Sequence, residues 1–211
     1  SRKYPPVPAQ KLTTDAFVLL KRPPTESFQN FTLFSPEHGA LHALQRLVKK
    51  TNSTSLALDL FDEATLQLES SNQGRTWFIK EVELLHRPAA IGQSYEVLRH
   101  ACAFASLIVR NSVHEDSRAS VAELFRSACE AFTHGVRPDI IYFKCLYRFS
   151  RDEGYPLKQQ WFPSLPPADR LVVAALLNRP LVEQKAEPKE VARLERRLEE
   201  YLRGHTEILI D

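Results

Sequence analysis

The spacing of apolar residues changes once along this chain, and that change constrains the fold more than any other feature. Up to about Leu85 apolar positions recur every second residue, as in Leu56, Leu58 and Leu60 and again in Ala64, Leu66 and Leu68. Alternation sends successive side chains to opposite faces, as in half-buried strands. After "HRPAAIG" the spacing becomes three and four, the period of a helix with one buried face. The expected fold class is therefore α+β. A flexible, Pro-rich segment 1–10 precedes a small β domain over 11–86, and an all-α domain follows over 87–211.

Within the first part, "TTDAFVLLKR" predicts a strand and "FTLFSPEHGALHAL" a hairpin, with Glu37-His38-Gly39 tolerating the positive φ of a tight turn. "SLALDLFDEATLQLES" predicts two further strands, "SSNQGR" a turn and "TWFIKEVELLH" a last strand. Five or six short strands in so few residues point to a small closed barrel or a Greek-key sheet, since closure removes exposed edges. In the second part, Tyr95, Leu98, Cys102, Ala105 and Val109 set the face of a first helix. Ser120 and Glu123 are spaced as a capping box for a second, with Leu124, Ala128 and Phe132 inside and Gly135 as its stop. Pro138 opens a third helix that ends at Gly154-Tyr155-Pro156. "PPADRLVVAALLNRP" is a short apolar helix, and "EPKEVARLERRLEEYLRGH" is amphipathic with Val191, Leu194, Leu198 and Leu202 inside.

Composition removes several function classes. The 28 Lys and Arg stand against 26 Asp and Glu, a net of +2, and the balance is as even before His86 as after it. Any basic face must arise by spatial segregation. Cys102, Cys129 and Cys145 are dispersed, without a CxxC pair for structural zinc, and fit a reducing compartment. No run approaches the ~18–20 apolar residues of a membrane span. HExxH, GxSxG and phosphate-loop patterns are missing, and 6 glycines are too few for a Gly-rich nucleotide cradle. Asp59, Asp62 and Glu63 cluster, yet a solvated turn accounts for them more simply than acid–base work. Cys145 and His134 sit in helical patterns, where a cysteine acts as a small hydrophobe. No catalytic residue, metal ligand or cofactor is expected.

The order of elements and several matched positions resemble the RecO family of recombination mediators. That family opens on "T.A.VL......E....TLFT...G...A", matched here by Thr14, Ala16, Val18, Leu19, Glu26, Leu33, Phe34, Gly39 and Ala43. "TWFIKEVELL", "YEVLRHACAFASLI", "VAELFRSACEAF" and "FKCLYRFSRDEGYPL" are similar to its later segments. The resemblance implies an OB-fold barrel and a helical domain. It implies a cytoplasmic, nucleoid-associated role in DNA repair and recombination: binding and annealing single-stranded DNA and helping load recombinase. The partners it implies are single-stranded DNA-binding protein and RecR, with RecF as a further candidate. Many family members hold zinc in a cysteine-bearing loop after the "EGYPL" position. Here "KQQWFPSLPPADR" has no cysteine, and Trp161 and Phe162 are placed to fill that space. The ending "HTEILID" also departs from the family's basic one.

Two sets of residues are then candidates. Lys21, Arg22, Arg46, Lys49, Lys50 and Lys80, interleaved with Phe28, Phe31, Trp77 and Phe78, could form the basic, aromatic groove of a single-strand binder. The alternative is that the aromatics fill the barrel and the lysines keep it hydrated. Lys144, Arg148 and Arg151 share a helical face, which suits a DNA track, an acidic peptide beside an apolar pocket near Tyr142 and Phe143, or a solvated surface. A protein-interaction adaptor without DNA binding is the alternative function, favoured by the near-zero charge and the missing zinc loop.

Overall fold

A computed structural model describes residues 4–5, 8–47 and 56–211. Lys49 and Lys50, and residues 1–3 and 6–7 of the segment 1–10, lie outside the described residues. The chain divides into two compact units, 1–87 and 88–211.

The first unit is a closed five-stranded barrel in the order β1-β2-β3-β5-β4. Its strands are β1 (Gln10–Lys21), β2 (Phe28–Ser35), β3 (Gly39–Arg46), β4 (Glu63–Ser70) and β5 (Trp77–His86). All pairings are antiparallel except β3 with β5, where Ala43 meets Trp77 and Leu44 meets Phe78. This short parallel closure gives the barrel an OB-like order. Alternation fills the interior with Ala16, Val18, Phe31, Leu33, Ala43, Leu66, Leu68 and Trp77. In the hairpin only Gly39 takes positive φ, at 72°. Ser35 Oγ closes the turn by accepting from the backbone N–H of Glu37 and His38.

"SLALDLFDEATLQLES" holds one strand, not two. Residues 56–62 form no strand: Phe61 and Asp62 bond the backbone of Val18 on β1, and Phe61 sits at φ 70°. The local reason is Asp62, fully buried, whose carboxylate accepts from the backbone N–H of Asp59 at 2.7 Å and from Arg87 at 2.8 and 2.7 Å. Gln45 holds the same segment by bonding the Leu56 carbonyl and the Leu58 N–H. The Asp59/Asp62/Glu63 cluster is thus partly a structural anchor.

The second unit is helical: α1 (Tyr95–Arg110), α2 (Arg118–Thr133), α3 (Pro138–Asp152), a π-helical turn Leu157–Trp161 running into α4 (Phe162–Ser164), α5 (Pro167–Asn178) and α6 (Pro188–His205). α3 lies at its centre, packed against α1, α2, α5 and α6. On α1 the buried stripe is Val97, Ala101, Phe104, Ala105 and Ile108, while Tyr95 is 76% exposed. The expected face was therefore rotated, because Phe104 rather than Cys102 meets Phe125 of α2, with ring centroids 5.9 Å apart. α2 begins at Arg118, so Ser120 lies inside its first turn and makes no capping box. Gly135 (φ 69°) and Gly154 (φ 95°) end α2 and α3 in the left-handed region that glycine adopts at no steric cost. On α6 all four expected stripe residues are buried. Trp161 is buried against Tyr147, while Phe162 is half-buried. No helix among the described residues is long and apolar enough to cross a membrane.

Candidate nucleic-acid interface

The strand register decides which barrel aromatics face outward. Phe31 and Trp77 point inward and are buried, so neither is a stacking platform. Phe28 and Phe78 take the opposite parity and stay half-buried. Their rings meet edge to face at 5.7 Å, and the Arg46 guanidinium lies 5.4 Å from the Phe28 centroid. A cation over an aromatic face is held by the ring quadrupole and keeps its charge available. These groups line a hollow of about 250 Å³ with Leu44, Ile79 and Lys80. Arg46 and Gln45 also wall a neighbouring hollow of about 260 Å³ that includes Lys21.

The barrel therefore brings Lys21, Arg46 and Lys80 around two adjoining hollows, and Arg22 lines neither. Two of the three cations are engaged. Lys21 pairs with Asp59 at 3.4 Å and Lys80 with Glu69 at 3.8 Å, all partly exposed. Such pairs are weak and screened by salt, so a phosphate can displace the carboxylate at little cost. Arg46 has no carboxylate partner among the described residues.

In the helical unit, Lys144, Arg148 and Arg151 converge on one hollow of about 350 Å³. Its apolar walls are Tyr147, Phe162, Ala174 and Leu177, not Tyr142 and Phe143. Phe143 is fully buried, and Tyr142 lines a different cavity. Burial holds the Lys144 ammonium below its ordinary pKa, and neighbouring Arg148 adds to the effect. Lys158, carried in by the π-helical turn, completes the basic rim. Its place in the sequence carries no helical or strand period that would have linked it to α3. Of these rim cations Arg151 pairs with Asp152 at 3.2 Å, and elsewhere on this unit Arg99 pairs with Glu96 and Arg110 with Asp211.

The candidate nucleophile lacks the environment for chemistry. Burial pushes the Cys145 thiol up to about 12, so it stays protonated. No group of three or more metal-ligating side chains occurs among the described residues. No protein-family model matches this chain, and no curated protein matches it.

Proposed function

We propose that this chain is a non-enzymatic, RecO-like recombination mediator acting in the cytoplasm at the nucleoid. It binds and anneals single-stranded DNA and helps load recombinase onto coated strands, with RecR and RecF as further partners. The observation that carries this reading is the outward cluster on the barrel: Arg46 over Phe28, Phe28 against Phe78, and Lys80 at the rim. A base stacks on an aromatic of any sequence neighbourhood, and cations alongside it neutralise phosphates. Neutralising two strands lowers their mutual repulsion and favours pairing. In the helical unit, Lys144, Arg148, Arg151 and Lys158 around an apolar hollow suit the acidic, apolar tail of single-stranded DNA-binding protein.

A specific observation favours the second reading, an adaptor without DNA binding: Lys21 and Lys80 are already paired with carboxylates. Fluorescence anisotropy of a labelled single-stranded oligonucleotide separates the two. Binding that weakens with salt and is lost in an Arg46→Gln/Phe78→Ala variant supports the mediator reading. No binding at low salt overturns it and leaves the adaptor.

A further inference from the structure

A cavity of about 680 Å³ in the helical unit shares no lining residue with the barrel hollows or the basic hollow beside α3. Its volume lies in the range of small-molecule sites, roughly 300–1,000 Å³. α1, the start of α3, α6 and residues 209–211 line it, and it opens to solvent. Ala103, Leu107, Val191 and Leu209 give it apolar walls, and Tyr142 gives it an aromatic one.

The charges facing it are not balanced. Five carboxylates stand against three guanidinium groups. Each arginine is already satisfied by its own acid: Arg99 by Glu96 at 2.9 Å, Arg137 by Asp139 at 3.0 Å and Arg110 by Asp211. Glu199 is held by Arg203 at 3.5 Å. Glu195 is half-buried and has no hydrogen bond or ion pair among the described residues. Burial and then the nearby Glu199 carboxylate push it up to about 7, against a smaller opposing pull from Arg99. Glu195 and Glu199 stand one turn apart on α6, with Cβ atoms about 6 Å apart in such a pair.

We infer that this cavity is a binding site for an aliphatic polyamine. One ammonium pairs with Glu195, a second approaches Glu199, and the methylene chain lies on the apolar walls. The Tyr142 ring face adds attraction for a cation at close range. A neutral chain of the same length lacks the ion pairs, and an anion meets an uncompensated carboxylate. The site is independent of the barrel groove and of the basic hollow beside α3.

Isothermal titration of the full chain, free of nucleic acid, with spermidine tests this, with 1,8-octanediol as the uncharged probe. The expected result is saturable binding of spermidine at one site and none of the diol. Glu195→Gln weakens it by about tenfold or more, the loss of one charge-assisted contact. Glu200→Gln, exposed on the same helix and outside the cavity, leaves it unchanged. Ala192→Phe, which fills the cavity without altering charge, also weakens it and serves if Glu195→Gln fails to fold. Absence of saturable binding, equal binding of the diol, or equal losses in Glu195→Gln and Glu200→Gln would each overturn the assignment.

Discussion

Removing the Phe78 ring gives the sharpest test of the barrel groove. Phe78 is half-buried on β5 and touches Phe28 edge to face, so truncation removes a stacking surface and takes nothing from the barrel interior. Base–aromatic stacking is worth about 1–3 kcal/mol per base, so Phe78→Ala is expected to weaken oligonucleotide binding by roughly 5- to 150-fold. Arg46→Gln acts differently. It removes one phosphate contact, so the slope of log affinity against log salt becomes shallower by about 0.7. Glu69→Gln frees Lys80 from its 3.8 Å pair and is expected to tighten binding severalfold at low salt. Anisotropy titrations at several salt concentrations read all three effects, with urea melts to show that each variant is folded. Wild-type affinity in Phe78→Ala together with an unchanged salt slope in Arg46→Gln would refute the placement of the groove.

Other expectations concern the anchors and the acids. Arg87→Ala leaves the fully buried Asp62 carboxylate without its main partner and is expected to cost about 3–5 kcal/mol in a urea melt, against less than about 1 for Arg22→Ala on the surface. An equal midpoint for the two variants would contradict the anchoring role. Leu194→Ala on α6 empties a site with no exposure and is expected to cost about 2–5 kcal/mol. Glu195 supplies a pH effect. Its folded value, about 7, lies above that of an unfolded glutamate, because burial and then Glu199 and Asp139 outweigh Arg99. The folded state therefore keeps a proton that the unfolded state releases. Stability falls as pH rises from the ordinary carboxylate range to about 7, by about 1–2 kcal/mol after screening of a partly exposed group. Glu96, His100, Arg137 and Asp211 also face the cavity, so the comparison is made between wild type and Glu195→Gln at each pH. Glu195→Gln is expected to match wild type near pH 4 and exceed it near pH 8, and parallel profiles would refute the assignment.

Local pattern was enough to reveal the two-part organisation. Alternation of Ala64, Leu66 and Leu68 in β4, the turn at Gly39, the stops at Gly135 and Gly154 and the stripe of α6 all follow from periods of two and 3.6 and from the freedom of glycine. The same parity rule could have separated Trp77 from Phe78, since neighbours on one strand face opposite sides. It failed at residues 56–61, where the Leu56, Leu58, Leu60 alternation mimics a strand. There the buried Asp62–Arg87 pair and Gln45, residues distant in sequence, hold the chain in another path.

The sites were less legible, because they depend on which side chains meet across elements. Sequence showed Lys144, Arg148 and Arg151 on one helical face, but Lys158, Phe162 and Leu177 join them only through the packing of α3, the π-helical turn and α5. Likewise, a charge count records Lys21 and Lys80 as free cations, whereas β-sheet pairing and the 56–62 segment set each beside an acid. Glu195 is one acid among many on a mixed-charge helix until α1, α3 and residues 209–211 line a cavity beside it and their arginines form ion pairs with other acids. The chain's own periodicity determined a barrel followed by helices, since period is a property of consecutive residues. Tertiary structure decided which cations and carboxylates remain uncompensated, since that depends on distances between residues far apart in the chain.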